Sequence, residues 1–233
     1  MSRIHVTGTK SHIIYELNRP IENLSEVAFE SFSSTYSVHN VTPTKNTFKF
    51  KKHGSDYKRF DLQPGCYLLK EISRLFKKIT GSGLHPNYSS GRIWFTLPKG
   101  CFIDFNVENS FADVIGAAKT SIGSDTEDYT YECPYKTNII PFNSIFIHCS
   151  LVSGCYVGGK TSNVIHSFRP KNVQPSEPIV EKKIFPSYSK SISKQIHNFE
   201  IRVTDENMNL LDFNGEVIDI TFLLRFDDDK YVY

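Results

Sequence analysis

The sequence predicts an all-β fold in which two antiparallel sheets pack face to face, and three observations predict it. Aromatic residues are abundant: Phe 18, Tyr 12 and Trp 1 make 13% of the 233 residues. Alanine, the strongest helix former, stands only at positions 28, 112, 117 and 118. Apolar and polar residues alternate in segments from end to end, separated by Gly, Pro, Asn and Ser clusters, as strands joined by turns require. Aromatic and β-branched side chains pack well on a pleated surface. The same balance argues against an all-helical bundle and against an alanine-rich doubly wound enzyme.

Ser11 to Leu17 opens the series of strands, followed by Val27 to Tyr36, where Val27, Phe29 and Ser31 share one face. Thr47–Lys51 alternates cleanly, with Phe48 and Phe50 facing one way. Further strands are expected at Arg92–Leu97, Cys101–Val107, Ser144–Val152, Val164–Phe168, Ile196–Thr204 and Glu216–Phe226. That makes about nine, enough for two packed sheets. Two segments break the two-residue period. Tyr67 to Ile79 sets Leu68, Leu69, Ile72, Leu75, Phe76 and Ile79 at helical spacing with Lys and Arg opposite, so it should be a helix. A shorter helix is expected over Phe111–Ile115, capped by Ser110 and ended by Gly116. The proline-rich stretch at about 170–186 reads as an extended crossing or arm, and 227–233 as a short charged tail.

Length and a hydrophobic content of 39% suit one domain over residues 1–233, with no need of disulfide or metal staples. Lys+Arg 27 against Asp+Glu 25 is too balanced for the broad basic surface that grips a duplex, so strong nucleic-acid binding is not expected. The opening residues lack an apolar signal core, and no apolar run approaches the roughly 20 residues of a membrane span. A chain that is neither secreted nor membrane-spanning is therefore expected. The cysteines at 66, 101, 133, 149 and 155 are odd in number and show no C-x-x-C spacing, which fits buried free thiols better than a disulfide framework or a zinc site. The sequons at Asn23, Asn40 and Asn87 then read as chance matches.

One segment matches a phosphate-binding loop letter for letter. Gly154, Gly159, Lys160 and Thr161 satisfy G-x-x-x-x-G-K-[ST], in which backbone amides cradle phosphates at the start of a helix. The strand before it is present. The helix after it is not convincing, because residues 162–169 contain no Ala, Leu, Glu or Lys and Pro170 ends them. The match is therefore read as a Gly-rich loop joining two strands, with no cofactor. Asp205, Asn207, Asn209 and Glu216 fit four positions of an EF-hand loop, but Leu210 occupies the position that needs glycine and both flanks alternate as strands. A hairpin-like connection is expected there, and no metal. No H-E-x-x-H, nucleophile elbow or other catalytic pattern appears, so the chain does not read as an enzyme.

Several segments, in order, resemble the penton (minor capsid) proteins of Polinton/Maverick elements and adintoviruses, relatives of the virophages. Residues 199–226 are similar to that family's C-terminal hairpin with its TD-x-x-x-x-x-L-x-x-x-GE turn, here Thr204, Asp205, Leu211, Gly215 and Glu216. Residues 152–168 resemble its SGSYV-x-G loop through Gly154, Tyr156 and Val157. Pro64, Gly65 and Tyr67 stand as in its PPG-x-Y turn before an edge helix. Ser110 to Gly116 resembles its short helix, and Tyr36, Ser37 and Asn40 its Y-S-x-x-N corner. In two respects the chain departs: Lys160 and Thr161 occupy less defined family positions, and no inserted outer domain is visible, so any vertex protrusion should be small.

The resemblance implies a single jelly-roll β-sandwich with one or two short helices. It implies a structural subunit that forms homopentamers at the fivefold vertices of an icosahedral capsid, beside a double jelly-roll major capsid protein. That larger protein would need roughly twice this chain. The place of this chain would be the virion vertex, with assembly inside the host cell, and it would use no small-molecule substrate. Two other readings stay open on the residues alone: a jelly-roll module that binds a carbohydrate or protein ligand, and a P-loop nucleotide-binding protein using residues 154–161.

Overall fold

The computed structural model describes residues 2–153, 155–157, 159–171 and 173–227. In chain order the first elements are β1 (Ser2–Gly8), β2 (His12–Ile21), β3 (Leu24–Thr35), β4 (Thr47–Lys51), β5 (Lys58–Asp61) and α1 (Leu69–Thr80). Next come β6 (His85–Asn87), β7 (Arg92–Leu97), β8 (Phe102–Asp104), α2 (Ala112–Ile115), β9 (Ser121–Gly123) and β10 (Tyr129–Glu132). The chain continues through β11 (Ile145–Cys149), β12 (Cys155–Val157), β13 (Lys160–Ser162), β14 (Val164–Phe168) and β15 (Pro178–Lys182). It ends with β16 (Tyr188–Lys190), β17 (Ile196–Thr204) and β18 (Ile218–Phe226). The fold is all-β apart from the two helices, and every pairing between these strands is antiparallel.

The chain divides into two compact units, one of Met1–Val38 with Phe142–Tyr233 and one of His39–Pro141. In the first unit one sheet runs β1-β18-β3-β15, with β16 on another stretch of β3, and the second runs β14-β11-β17-β2. Along the chain the pairing is nested. The first strand pairs with the last (β1 with β18), the second with the next to last (β2 with β17), then β3 with β15, and β11 with β14 at the centre. Eight strands wired this way, alternating between two sheets, form a jelly roll. Phe199 of β17 meets Phe222 of β18 edge to face at 6.5 Å between the sheets, and Phe32, Ile147, Ile201, Val203 and Ile220 are fully buried with them.

The last two long strands correct the hairpin expectation. β17 lies in one sheet and β18 in the other, so residues 205–217 cross the sandwich instead of turning one strand onto its neighbour. Alternation shows that a strand buries one face; it carries no information on which strand lies beside it. The proline-rich stretch is likewise only partly an arm, because Pro178–Lys182 forms an edge strand on β3. Pro178 stands at its first position, where a missing N–H is tolerated.

The second unit is inserted between β3 and β11, and the alternating pattern does not announce it. Its sheets are β5-β4-β8-β9 and β10-β7-β6. Helix α1 buries Ile72 and Phe76, as its spacing requires, and the Glu71 carboxylate accepts the Leu68 N–H at 2.8 Å at its start. Phe76 stands between Phe48 of β4 and Phe95 of β7, with ring centroids at 5.6 and 5.3 Å, so the helix joins the two sheets through one aromatic core. Among the described residues no helix is long and apolar enough to cross a membrane.

Candidate functional site

The segment that imitates a phosphate loop forms a small hairpin. Cys155 pairs with Ser162, Tyr156 with Thr161 and Val157 with Lys160, and Gly159 lies in the turn between them. Gly154 lies outside the described residues. A phosphate loop needs its Lys and Thr at the N-terminus of a helix, where free N–H groups converge. Lys160 and Thr161 instead lie in a strand, and β14 follows directly on the antiparallel sheet.

The EF-hand-like segment spends its acid on its own backbone. The Asp205 carboxylate accepts the N–H groups of Asn207 and Asn209 at 2.8 Å each, and the Asn209 side-chain amide at 3.1 Å. This is the local turn chemistry that Asp provides. Among the described residues no three His, Cys, Asp or Glu side chains converge to hold a metal ion.

The other motif positions share this architectural character. Asn40 and the turn of Pro64, Gly65 and Tyr67 come together: Val41 bridges Gly65, and the Asn40 side chain bonds the Tyr67 backbone. The Tyr67 hydroxyl donates to the Gln63 carbonyl at 3.0 Å, closing the turn. Ser110 accepts the Ala112 N–H at 3.2 Å at the start of α2, and Gly116 ends it by donating to the Ala112 carbonyl at 2.8 Å. Gly215 turns the chain with a positive φ of 80° just before the exposed Glu216. Tyr156, by contrast, is 70% exposed at the hairpin.

Thr204 makes a buried hydroxyl–imidazole contact. The His148 imidazole lies between the Thr204 hydroxyl at 2.9 Å and the Asn163 side-chain oxygen at 3.1 Å. A base beside a hydroxyl is how nucleophiles are activated. Here His148 is 3% and Thr204 1% exposed, so a substrate has no access and the contact is structural. Burial holds the His148 pKa below that of a free imidazole. Burial also pushes the thiols of Cys133 and Cys149 up to about 12 and that of Cys66 up to about 11, which leaves them poor nucleophiles.

The surface of the first unit is more informative. Its two flanks expose different edge strands, β1 and β2 on one side, β14 and β15 on the other. On the second flank His166 of β14 reaches Glu181 of β15 at 3.1 Å and stacks on Phe29 at 4.2 Å, tying the edges of the two sheets together. Just beyond β15 the chain leaves apolar side chains in solvent: Ile184 is 84% and Phe185 87% exposed, and Val180 of the strand itself 67%. Large apolar groups grouped in this way mark contact surfaces. Sequence reading places an arm here but does not single out Phe185, since composition does not say which side of a loop faces water.

No protein-family model matches the sequence, and no curated protein does either. Among solved structures the chain is similar to the mavirus penton protein, in the crystal structure of its selenomethionine-labelled form. Sequence identity is 11% and the TM-score 0.48, over 96% of this chain and 99% of that one.

Proposed function

We propose that the chain is a structural minor capsid (penton) protein, forming homopentamers at the fivefold vertices of an icosahedral virion, and not an enzyme. The carrying observation is a jelly roll whose two flanks differ, one of them bearing the uncovered Val180, Ile184 and Phe185. A closed ring is built from heterologous contacts, so each copy must offer two unlike surfaces. The motif resemblance supports the same reading. Both units act as one subunit in this reading, with a double jelly-roll major capsid protein as outer neighbour and assembly inside the host cell.

Mass measurement of the purified protein, alone and mixed with that major capsid protein, tests the proposal together with particle imaging. A species of five times the chain mass and fivefold vertex density of matching shape are expected. A chain that stays monomeric in both settings and fits no vertex density overturns it.

A further inference from the structure

The inserted unit carries a cleft of about 400 Å³ that the capsid reading does not use. Its floor is made of small residues, Ala112 at the start of α2 and Gly116, Ala117 and Ala118 just after its end. Gly116 has a φ of 77° and accepts the Tyr135 N–H at 3.1 Å, which brings the segment carrying Tyr135 and Lys136 alongside α2 as a second wall. The Ala118 N–H donates to the Tyr131 hydroxyl at 3.0 Å and fixes the floor from behind. The walls are chemically mixed. Tyr135 is 65% exposed, Lys119 pairs with Asp113 at 3.0 Å, and Lys136 stands exposed at the rim.

We propose that this cleft binds a carboxylate-bearing pyranose, such as the terminal acidic sugar of a glycan. The volume lies in the range of small-molecule sites, and the floor leaves room for a ring to lie low. An exposed tyrosine ring offers an apolar face to the C–H groups of a sugar and a hydroxyl at its tip. Asp113 accepts hydroxyl hydrogens, which also sets it against a phosphate dianion. Its own charge is matched by Lys119, so Lys136 is left as one cation for one carboxylate. The wider field has the same sign: residues 39–141 contain fourteen Lys and Arg against ten Asp and Glu, although the whole chain is nearly neutral. An acidic ligand is thus attracted to this unit in particular.

Nuclear magnetic resonance titration of the whole protein tests the site with four probes: sialyllactose, a glucuronate-terminated disaccharide, neutral lactose, and a short poly-glutamate peptide. Binding of either acidic sugar, with shifts at Lys119 and Tyr135, is expected, and which one binds tells the source. Lactose should bind at least about tenfold more weakly. Tyr135→Ala and Lys136→Glu alter exposed side chains, so they should keep the thermal midpoint and lose the binding, whereas Lys136→Arg should keep both. No binding of either acidic sugar, equal binding of lactose, a preference for the peptide, or undiminished binding in both loss variants overturns the proposal.

Discussion

The Asn40 side chain is clasped by the backbone of Tyr67 from both sides: its oxygen accepts the Tyr67 N–H at 3.0 Å and its nitrogen donates to the Tyr67 carbonyl at 2.7 Å. A second donation, to the Ile139 carbonyl at 2.8 Å, uses the remaining amide hydrogen. One 4% exposed carboxamide thus ties three parts of the inserted unit. Asn40→Ala strands three backbone groups and should cost roughly 3 kcal/mol, read as a shift of the urea midpoint. Asn40→Asp should cost at least as much, since a carboxylate would face two carbonyls. The same geometry buries the sequon at this position, so mass spectrometry should find Asn40 unmodified from any expression host.

Two glycines make a second, comparative prediction. Gly116 and Gly215 both have a left-handed backbone, with φ of 77° and 80°. A Cβ on Gly116 would run into the carbonyl oxygen of Tyr135, whereas one on Gly215 would meet open space. Gly215→Ala should therefore cost only the backbone preference, about 1 kcal/mol. Gly116→Ala should cost roughly 3 kcal/mol, because the displaced neighbour is main chain and cannot swing aside. Equal midpoints for the two variants in thermal denaturation would contradict this account.

Acid should weaken the jelly-roll unit through the buried His148 and the partly buried His166. Burial is the leading cause that lowers the pKa of both His148 and His166; Arg202 adds to it at His148 and Lys183 at His166, while Asn163 and Glu181 oppose it. The unfolded chain takes up these protons near pH 6.5, and the native state takes them up only at lower pH. Stability is therefore full above about 6.5 and is lost as pH falls through the native-state values. Denaturant midpoints measured between pH 7.5 and 5 should fall, with a shallower slope in His148→Gln. A midpoint that rises over that range would show that the pairing with Glu181 outweighs burial.

What the sequence discloses depends on how local the cause is. Helix α1 is legible because Ile72, Phe76 and their neighbours repeat at a spacing that only a helix brings to one face. Strand β1 escapes notice because Arg3, His5 and Thr7 face water and Val6 is its one buried side chain, too little alternation to stand out. The nested pairing is invisible for a deeper reason. Val203 of β17 and Ile220 of β18 look like members of one hairpin, yet they lie in different sheets, and that choice is made by partners distant in sequence, Ile147 for the one and Val6 for the other. The cleft beside Tyr135 is hidden in the same way, since its walls are separate in sequence and meet through tertiary contacts such as the one with Gly116. Turn residues such as Asp205 are visible at once, because their chemistry is exhausted within a few residues.

The exposed pair at the end of β15 allows assembly to be separated from folding. Ile184 and Phe185 are 84% and 87% exposed, so replacing both with serine removes almost no buried area from the single chain. Its stability should change by no more than about 0.5 kcal/mol. If the pair is covered by a neighbouring copy, the same change removes two large apolar anchors from a contact, where such groups carry most of the binding energy. The double variant should then keep the wild-type denaturation curve and lose the pentamer in sedimentation. Ile14→Ser offers the matching test on the opposite flank, where that side chain is 65% exposed on edge strand β2. Pentamers that survive both changes would move the contact away from these flanks, whereas loss of folding in either variant would contradict the exposure on which the prediction stands.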